Sequence, residues 1–160
     1  MAGFLLEKEL RFLSGAMTDP EHPFVAIIGG AKISSKIDVI EALLPTVDRL
    51  LIGGAMANTF FKARGWAVGD SLVEEDRIDT ARSLMDLAGD KLLLPVDVIT
   101  APCIASGATT RVSACDEVRN GERIGDIGPR SVKSFADVLV GARTVIWSGP
   151  MGIFELAPFQ

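Results

Sequence analysis

Three apolar runs in this chain each stop at a glycine corner. Phe24-Val25-Ala26-Ile27-Ile28 leads into Gly29-Gly30, Leu50-Leu51-Ile52 into Gly53-Gly54, and Thr144-Val145-Ile146-Trp147 into Ser148-Gly149-Pro150. None of the runs alternates polar with apolar residues, so each reads as a strand with two faces to bury. Between them, Ile37, Ile40, Leu43 and Leu44 fall at helical spacing, as do Ile78, Ala81, Leu84 and Met85. Buried strands alternating with amphipathic helices fold as right-handed βαβ units, giving a parallel sheet between helix layers. The expected class is therefore α/β, a three-layer, Rossmann-like parallel sheet with helices on both faces. Ligands of such sheets bind beyond the carboxyl ends of the strands. All three glycine corners follow strands, which sets them on one rim.

The remaining elements follow from spacing and punctuation. Leu6, Leu10, Leu13 and Met17 predict a first amphipathic helix, stopped by Thr18-Asp19-Pro20-Glu21-His22-Pro23. Further helices are expected over 34–47, 56–64, 76–88 and 131–140, the last with Pro129 near its start. Residues 91–96 read as a strand whose end Pro95 marks. Residues 102–123 differ: 109–115 is β-prone and Asn120-Gly121 is a turn signal, so a small excursion of strands is expected there.

The first corner continues as Ala31-Lys32-Ile33-Ser34-Ser35-Lys36. Small residues let backbone N–H groups approach an anion, and two lysines four apart add positive charge at the turn. The segment has neither the G-x-x-x-x-G-K-[ST] nor the G-x-G-x-x-G spacing. Spacing alone suits a structural turn as well as a phosphate cradle. Lysine is an unusual neighbour for a buried strand end, which weighs toward the cradle, although Lys36 by itself reads as a solvated helix residue. Glu155 suits either a sugar hydroxyl or the start of a helix. Asp97 and Asp126 each follow an apolar stretch and read as capping groups before metal ligands. His22 is the one histidine, so no Ser/His/Asp or Cys/His arrangement is available.

Charge narrows the partners. Lysine and arginine number 16 against 21 acids, a net charge of −5, which disfavours nucleic acid as a ligand. Any phosphate site must be local. Cys103 and Cys115 are too few for a disulfide framework or a zinc ribbon and read as reduced thiols. No apolar run approaches the roughly 18 residues of a membrane span. Glu7, Lys8 and Glu9 follow Phe4-Leu5-Leu6 at once, unlike a signal peptide. A cytoplasmic protein without membrane or nucleic-acid partners is expected.

Six segments, taken in order, resemble the phosphoglycerate kinase family. They are Gly3-Phe4-Leu5-Leu6-Glu7-Lys8-Glu9-Leu10, Gly29 to Lys36 as above, Gly53-Gly54-Ala55-Met56-Ala57-Asn58-Thr59-Phe60, Leu94-Pro95-Val96-Asp97, Asp126-Ile127-Gly128-Pro129, and Trp147-Ser148-Gly149-Pro150-Met151-Gly152-Ile153-Phe154-Glu155. The resemblance implies an interdomain hinge helix over 1–19 and an incomplete nucleotide-binding domain over 20–160, truncated at its carboxyl-terminal end. It implies that Lys32 is catalytic, stabilising the transferring phosphoryl group, while Gly30, Ala31 and Lys36 hold nucleotide phosphates. Gly54 and Ala55 would line the adenine slot, Pro150, Gly152 and Ile153 would support base and ribose, and Glu155 would bind ribose hydroxyls. The implied reaction moves a phosphoryl group between 1,3-bisphosphoglycerate and MgADP, giving 3-phosphoglycerate and MgATP.

Ser148 stands where the family usually carries asparagine, and Ala55 where many members carry a third glycine. The family's phosphoglycerate patch and its metal-facing aspartate have no counterpart here, and no residue of the chain is assigned to a metal. The implied partners are ADP or ATP with Mg2+, and the piece is expected to self-associate where the full-length family is usually monomeric. A non-catalytic nucleotide-binding module and a folding fragment that binds nothing are the alternatives.

Overall fold

The computed structural model describes residues 19–159. The first helix and the hinge assigned to it lie outside the described residues, apart from Asp19. A four-stranded parallel sheet forms the centre, in the order β3-β2-β1-β7. Its strands are β1 (Phe24–Ile28), β2 (Arg49–Ile52), β3 (Leu92–Leu93) and β7 (Thr144–Ser148). Every residue of β1 is buried, as its unbroken apolar run requires. Strand periodicity sends alternate β1 side chains to opposite faces. Phe24, Ala26 and Ile28 join Leu50 and Ile52 in a large core against α1 (Ile37–Leu43), α2 (Met56–Ala63) and α3 (Ile78–Ala88). Val25, Ile27 and Leu51 face the other way, against Phe135 and Leu139 of α4 (Pro129–Val140). Helices thus cover both faces, as expected.

Two expected elements differ. The helix over 34–47 is a 3₁₀ turn at Ile33–Ser35 followed by the shorter α1. Lys36, at φ −124° and ψ −4°, separates the two. Pro45 follows closely, and without an N–H it cannot extend a helix. The strand over 91–96 pairs only through Leu92 and Leu93. The chain leaves the sheet at Leu94-Pro95 and starts β4 (Asp97–Ala101) in a second sheet.

That second sheet is antiparallel. It holds β4 between β5 (Arg111–Ala114) and β6 (Arg123–Ile127); of the three, β5 alone lies within the excursion expected over 102–123, with β4 ending before it and β6 starting at its last residue. An ion pair secures it. Arg111 Nη2 lies 2.6 Å and Nε 3.0 Å from the two Glu122 carboxylate oxygens, and Thr100 Oγ1 donates to the same group at 3.2 Å.

The link from this sheet to α4 is a buried knot. Gly128, at the N-cap of α4, has no side chain to cap with. The cap comes instead from Asp97, whose carboxylate accepts the N–H of Ser131 at 2.7 Å and of Arg130 at 3.0 Å. The Ser131 hydroxyl lies 2.6 Å from Asp97 Oδ1 and accepts the amides of Val96 and Asp97. Asp97 therefore takes the capping role, reached across 33 residues. Among the described residues no helix is long and apolar enough to cross a membrane.

The Arg111 hydrogen bond holds the Glu122 carboxyl at about 2, below its ordinary 4.5. A lowered folded-state value contributes stability that is present above 4.5 and is lost as pH falls from 4.5 toward about 2. Urea midpoints should drop across that window. Glu122→Gln should be less stable than the parent at neutral pH, and the gap should close toward pH 2. A gap constant with pH would show that the charge is not what secures the sheet.

Candidate functional site

The three glycine corners meet at one rim through backbone hydrogen bonds. Gly29 N–H donates to Ser148 O at 2.8 Å and Gly30 N–H to Pro150 O at 3.0 Å. Gly53 N–H donates to Ile28 O at 3.0 Å, Gly54 N–H to Met151 O at 2.7 Å, and Met56 N–H to Gly30 O at 3.0 Å. The strands alone bring the corners near each other, and these bonds lock their order. The approach leaves no space for side chains. Gly54 has φ +69°, and a Cβ there would fall 2.5 Å from the backbone N and O of Gly30.

Under the locked corners lies a cavity of about 220 Å³. Gly30, Ala31, Gly54, Ala55, Pro150, Gly152, Ile153 and Glu155 all line it. These are eight of the ten positions assigned to a nucleotide from the resemblance. Its remaining wall comes from β4, β6 and α2, including Val98, Ile124, Asp126, Asn58 and Phe61. The wall is mostly apolar with few polar groups, which suits a flat heterocycle better than a fully charged ligand.

The other two positions, Lys32 and Lys36, lie outside the cavity lining. Lys32 is exposed. Lys36 is half-buried and donates from Nζ to Ser148 Oγ at 3.0 Å. Between them the turn is already occupied. Glu74 accepts the Ser34 N–H at 3.0 Å, the Ser34 hydroxyl and the Ile33 N–H. Burial pushes its carboxyl up, but those hydrogen bonds and the charge of Lys32 outweigh it and hold it below its ordinary range. Among the described residues no acceptor engages the amides of Ala31 or Lys32. An anion at this corner would thus meet two ammonium groups and those two amides, while the amides of Ile33 and Ser34 are taken.

Glu74 and Asn58 were not assigned a role from the sequence, and Asp126 was read there as a capping group. Glu74 reaches the corner from 40 residues away and carries no local signal. Asn58 is buried on the apolar face of α2, and that polar residue among Met56, Ala57, Phe60 and Phe61 was a readable sign. Its Nδ2 donates to Leu72 O at 3.1 Å, while its Oδ1 is buried without a partner among the described residues. Asp126 lies in β6 and accepts the N–H of Ile127 at 2.6 Å. Burial pushes its carboxyl up from the ordinary range. His22 pairs with Asp48 at 2.6 Å, at the amino-terminal end of β1 and away from the rim. Among the described residues no group of three or more His, Cys, Asp or Glu could hold a metal ion.

The family model for phosphoglycerate kinase matches residues 1–160. A phosphoglycerate kinase of Lacticaseibacillus casei (strain BL23) is 52% identical over 158 residues, covering 99% of this chain and 40% of that protein. One from Rubrobacter xylanophilus is 54% identical over 158 residues, again covering 99% of this chain and 40% of the relative. The solved phosphoglycerate kinase of Coxiella burnetii superposes with a TM-score of 0.88 at 42% identity, over 96% of this chain and 40% of that one. The chain thus spans about 40% of the length of the curated relatives it matches.

The cavity mouth is tight enough to test by mutation. A Cβ on Gly152 would fall 1.9 Å from Asp126 Cγ, whereas one on Gly141 would meet nothing within 4 Å. Gly152→Ala should lower stability by about 1–3 kcal/mol, the usual cost of overpacking. Gly141→Ala should stay within about 0.5 kcal/mol of the parent. Urea denaturation measures both, and equal midpoints would show that the rim gives way freely.

Proposed function

The chain belongs to the phosphoglycerate kinase family, and on that premise we propose that residues 20–160 carry most of a site for MgADP and MgATP. What supports this reading is the shared cavity: eight positions with nucleotide roles in the family line one apolar space under the glycine corners. The base lies between Gly54-Ala55 and the segment from Pro150 to Ile153. Glu155 accepts hydrogen bonds from the ribose hydroxyls. The phosphates leave the cavity past Gly30 and Ala31 toward Lys36 and Lys32. Residues 1–19 are proposed as the interdomain hinge helix, and the protein as cytoplasmic.

The reaction proposed is that of the whole family enzyme. A β-phosphate oxygen of ADP attacks the acyl phosphorus of 1,3-bisphosphoglycerate. The bond from phosphorus to the acyl oxygen breaks, and its electron pair leaves on the carboxylate of 3-phosphoglycerate. Such a transfer needs in-line alignment and cations on the equatorial oxygens more than covalent help. Lys32 supplies one cation beside the transferring group, and Lys36 another beside the nucleotide phosphates. Mg2+ enters with the nucleotide as part of the substrate. No residue of this chain is assigned to phosphoglycerate, so the proposal for the chain itself is nucleotide binding.

A calorimetric titration with ADP tests it. ADP should bind, and Lys36→Ala should weaken it by about tenfold, the worth of one charge-assisted hydrogen bond, with a flatter salt dependence. Adenosine affinity should not change. A Lys36→Ala chain that binds ADP like the parent would refute this placement of the phosphates.

The exposed edge supports a second proposal, self-association. Among the described residues β7 pairs only with β1, and its Trp147 is 65% exposed. Val145 on the same strand is also exposed, and no charged side chain interrupts Thr144-Val145-Ile146-Trp147. Light scattering at micromolar concentration should report a dimer or larger species. A monomer at all concentrations refutes it.

A further inference from the structure

Ser148 is the residue through which Lys36 is held, and we infer that it serves the nucleotide indirectly, as a positioning residue for that lysine. The inference rests on the nucleotide reading above. Ser148 closes β7, opposite Ile28 at the end of β1, and its carbonyl accepts the Gly29 N–H at 2.8 Å. Its backbone is therefore fixed by the sheet. Its side chain has a single heavy-atom torsion, which leaves the hydroxyl only a few positions. Lys36 starts from the opposite corner, between the 3₁₀ turn and α1. Its side chain crosses to β7 and donates from Nζ to Ser148 Oγ at 3.0 Å, joining residues 112 apart in sequence.

Among the described residues the hydrogen bond that the Ser148 hydroxyl makes is the one to Lys36. Ser148 does not line the cavity, while Pro150, Gly152 and Glu155 beyond it do. A serine is also shorter than the asparagine usual at this place in the family. An ammonium has three N–H donors, so one bond to Ser148 leaves two for phosphate oxygens. Lysine loses much rotamer freedom when it is ordered. A lysine already anchored on a rigid strand loses less of it on binding, which is the advantage of preorganisation. No carboxylate forms an ion pair with Lys36 among the described residues, so the hydroxyl orients the charge without neutralising it.

Two measurements on this chain test the inference. In the first, ADP and adenosine are titrated into the parent, Ser148→Ala, Lys36→Ala and the double variant. Ser148→Ala should weaken ADP by about three- to tenfold, within the range of one lost hydrogen bond, and leave adenosine unchanged. In the Lys36→Ala background it should have no further effect, and Ser148→Thr, which keeps the hydroxyl, should restore binding. An equal loss in both backgrounds would mean that Ser148 touches the nucleotide itself, and would overturn the inference. In the second, NMR reads the side-chain order of Lys36 without ligand. The order should fall in Ser148→Ala. The same mobility in both proteins overturns the inference too. If the parent binds neither ADP nor adenosine, the nucleotide reading fails, and any binding role for Ser148 fails with it. The NMR result then still decides whether Ser148 holds Lys36.

Discussion

Double burial of β1 is the constraint on which the rest of the structure depends. A strand with no solvent face must be paired on both edges and packed on both sides. β2 and β7 supply the edges, in registers that align Ile28 with both Ile52 and Ser148. The three strands consequently end at one level, and the chain must turn three times within a few ångströms. Side chains cannot share that space, which is why the turns are built from glycine. The site's shape is thus a consequence of core packing and would exist before any ligand arrived.

The same packing explains how the cavity acquires its second wall. A parallel sheet alone would leave the rim open. The chain avoids this by leaving the sheet at Pro95 and building the antiparallel sheet, whose β4 and β6 face the corners. The attachment has to be rigid, because the cavity lies across the junction. Asp97 and Ser131 meet that need by satisfying each other and the first amides of α4 away from water, where hydrogen bonds are costly to lose. A carboxylate that could have been read as a metal ligand is thereby committed to holding two layers together.

Much of this was legible in the sequence, and what was not has a common cause. The runs at 24–28, 50–52 and 144–147 announced themselves because full burial removes polar residues from both faces. Pro129 marked the start of α4, and the turn at Asn120-Gly121 was visible from residue type alone. The reading overshot at 34–47 because Ile37, Ile40, Leu43 and Leu44 keep helical spacing, and spacing does not reveal the backbone break at Lys36. It missed the start of β4 at Asp97 because only two residues of the preceding segment pair in the parallel sheet. For the site, the glycine corners were readable because steric demand is local. Glu74 at Ser34, Ser131 at Asp97 and Ser148 at Lys36 were not, because each bond spans tens of residues and depends on the finished fold.

Glu74 also decides what kind of anion site this corner can be. Glycine-rich turns usually hold phosphate on successive backbone amides at a helix start. Here the amides of Ile33 and Ser34 already point at the protein's own carboxylate. Those dipoles stabilise a resident charge, and that charge lies near Lys32. For the phosphates proposed above, what is left is the amides of Ala31 and Lys32 and the two lysines, whose charges act over a distance that depends on salt. On that proposal an otherwise acidic chain places its attraction for anions at one rim, in one exposed lysine and one held by a hydrogen bond. Their direction then matters as much as their charge. Lys36 is bonded to Ser148, while Lys32 is exposed and its charge acts on Glu74.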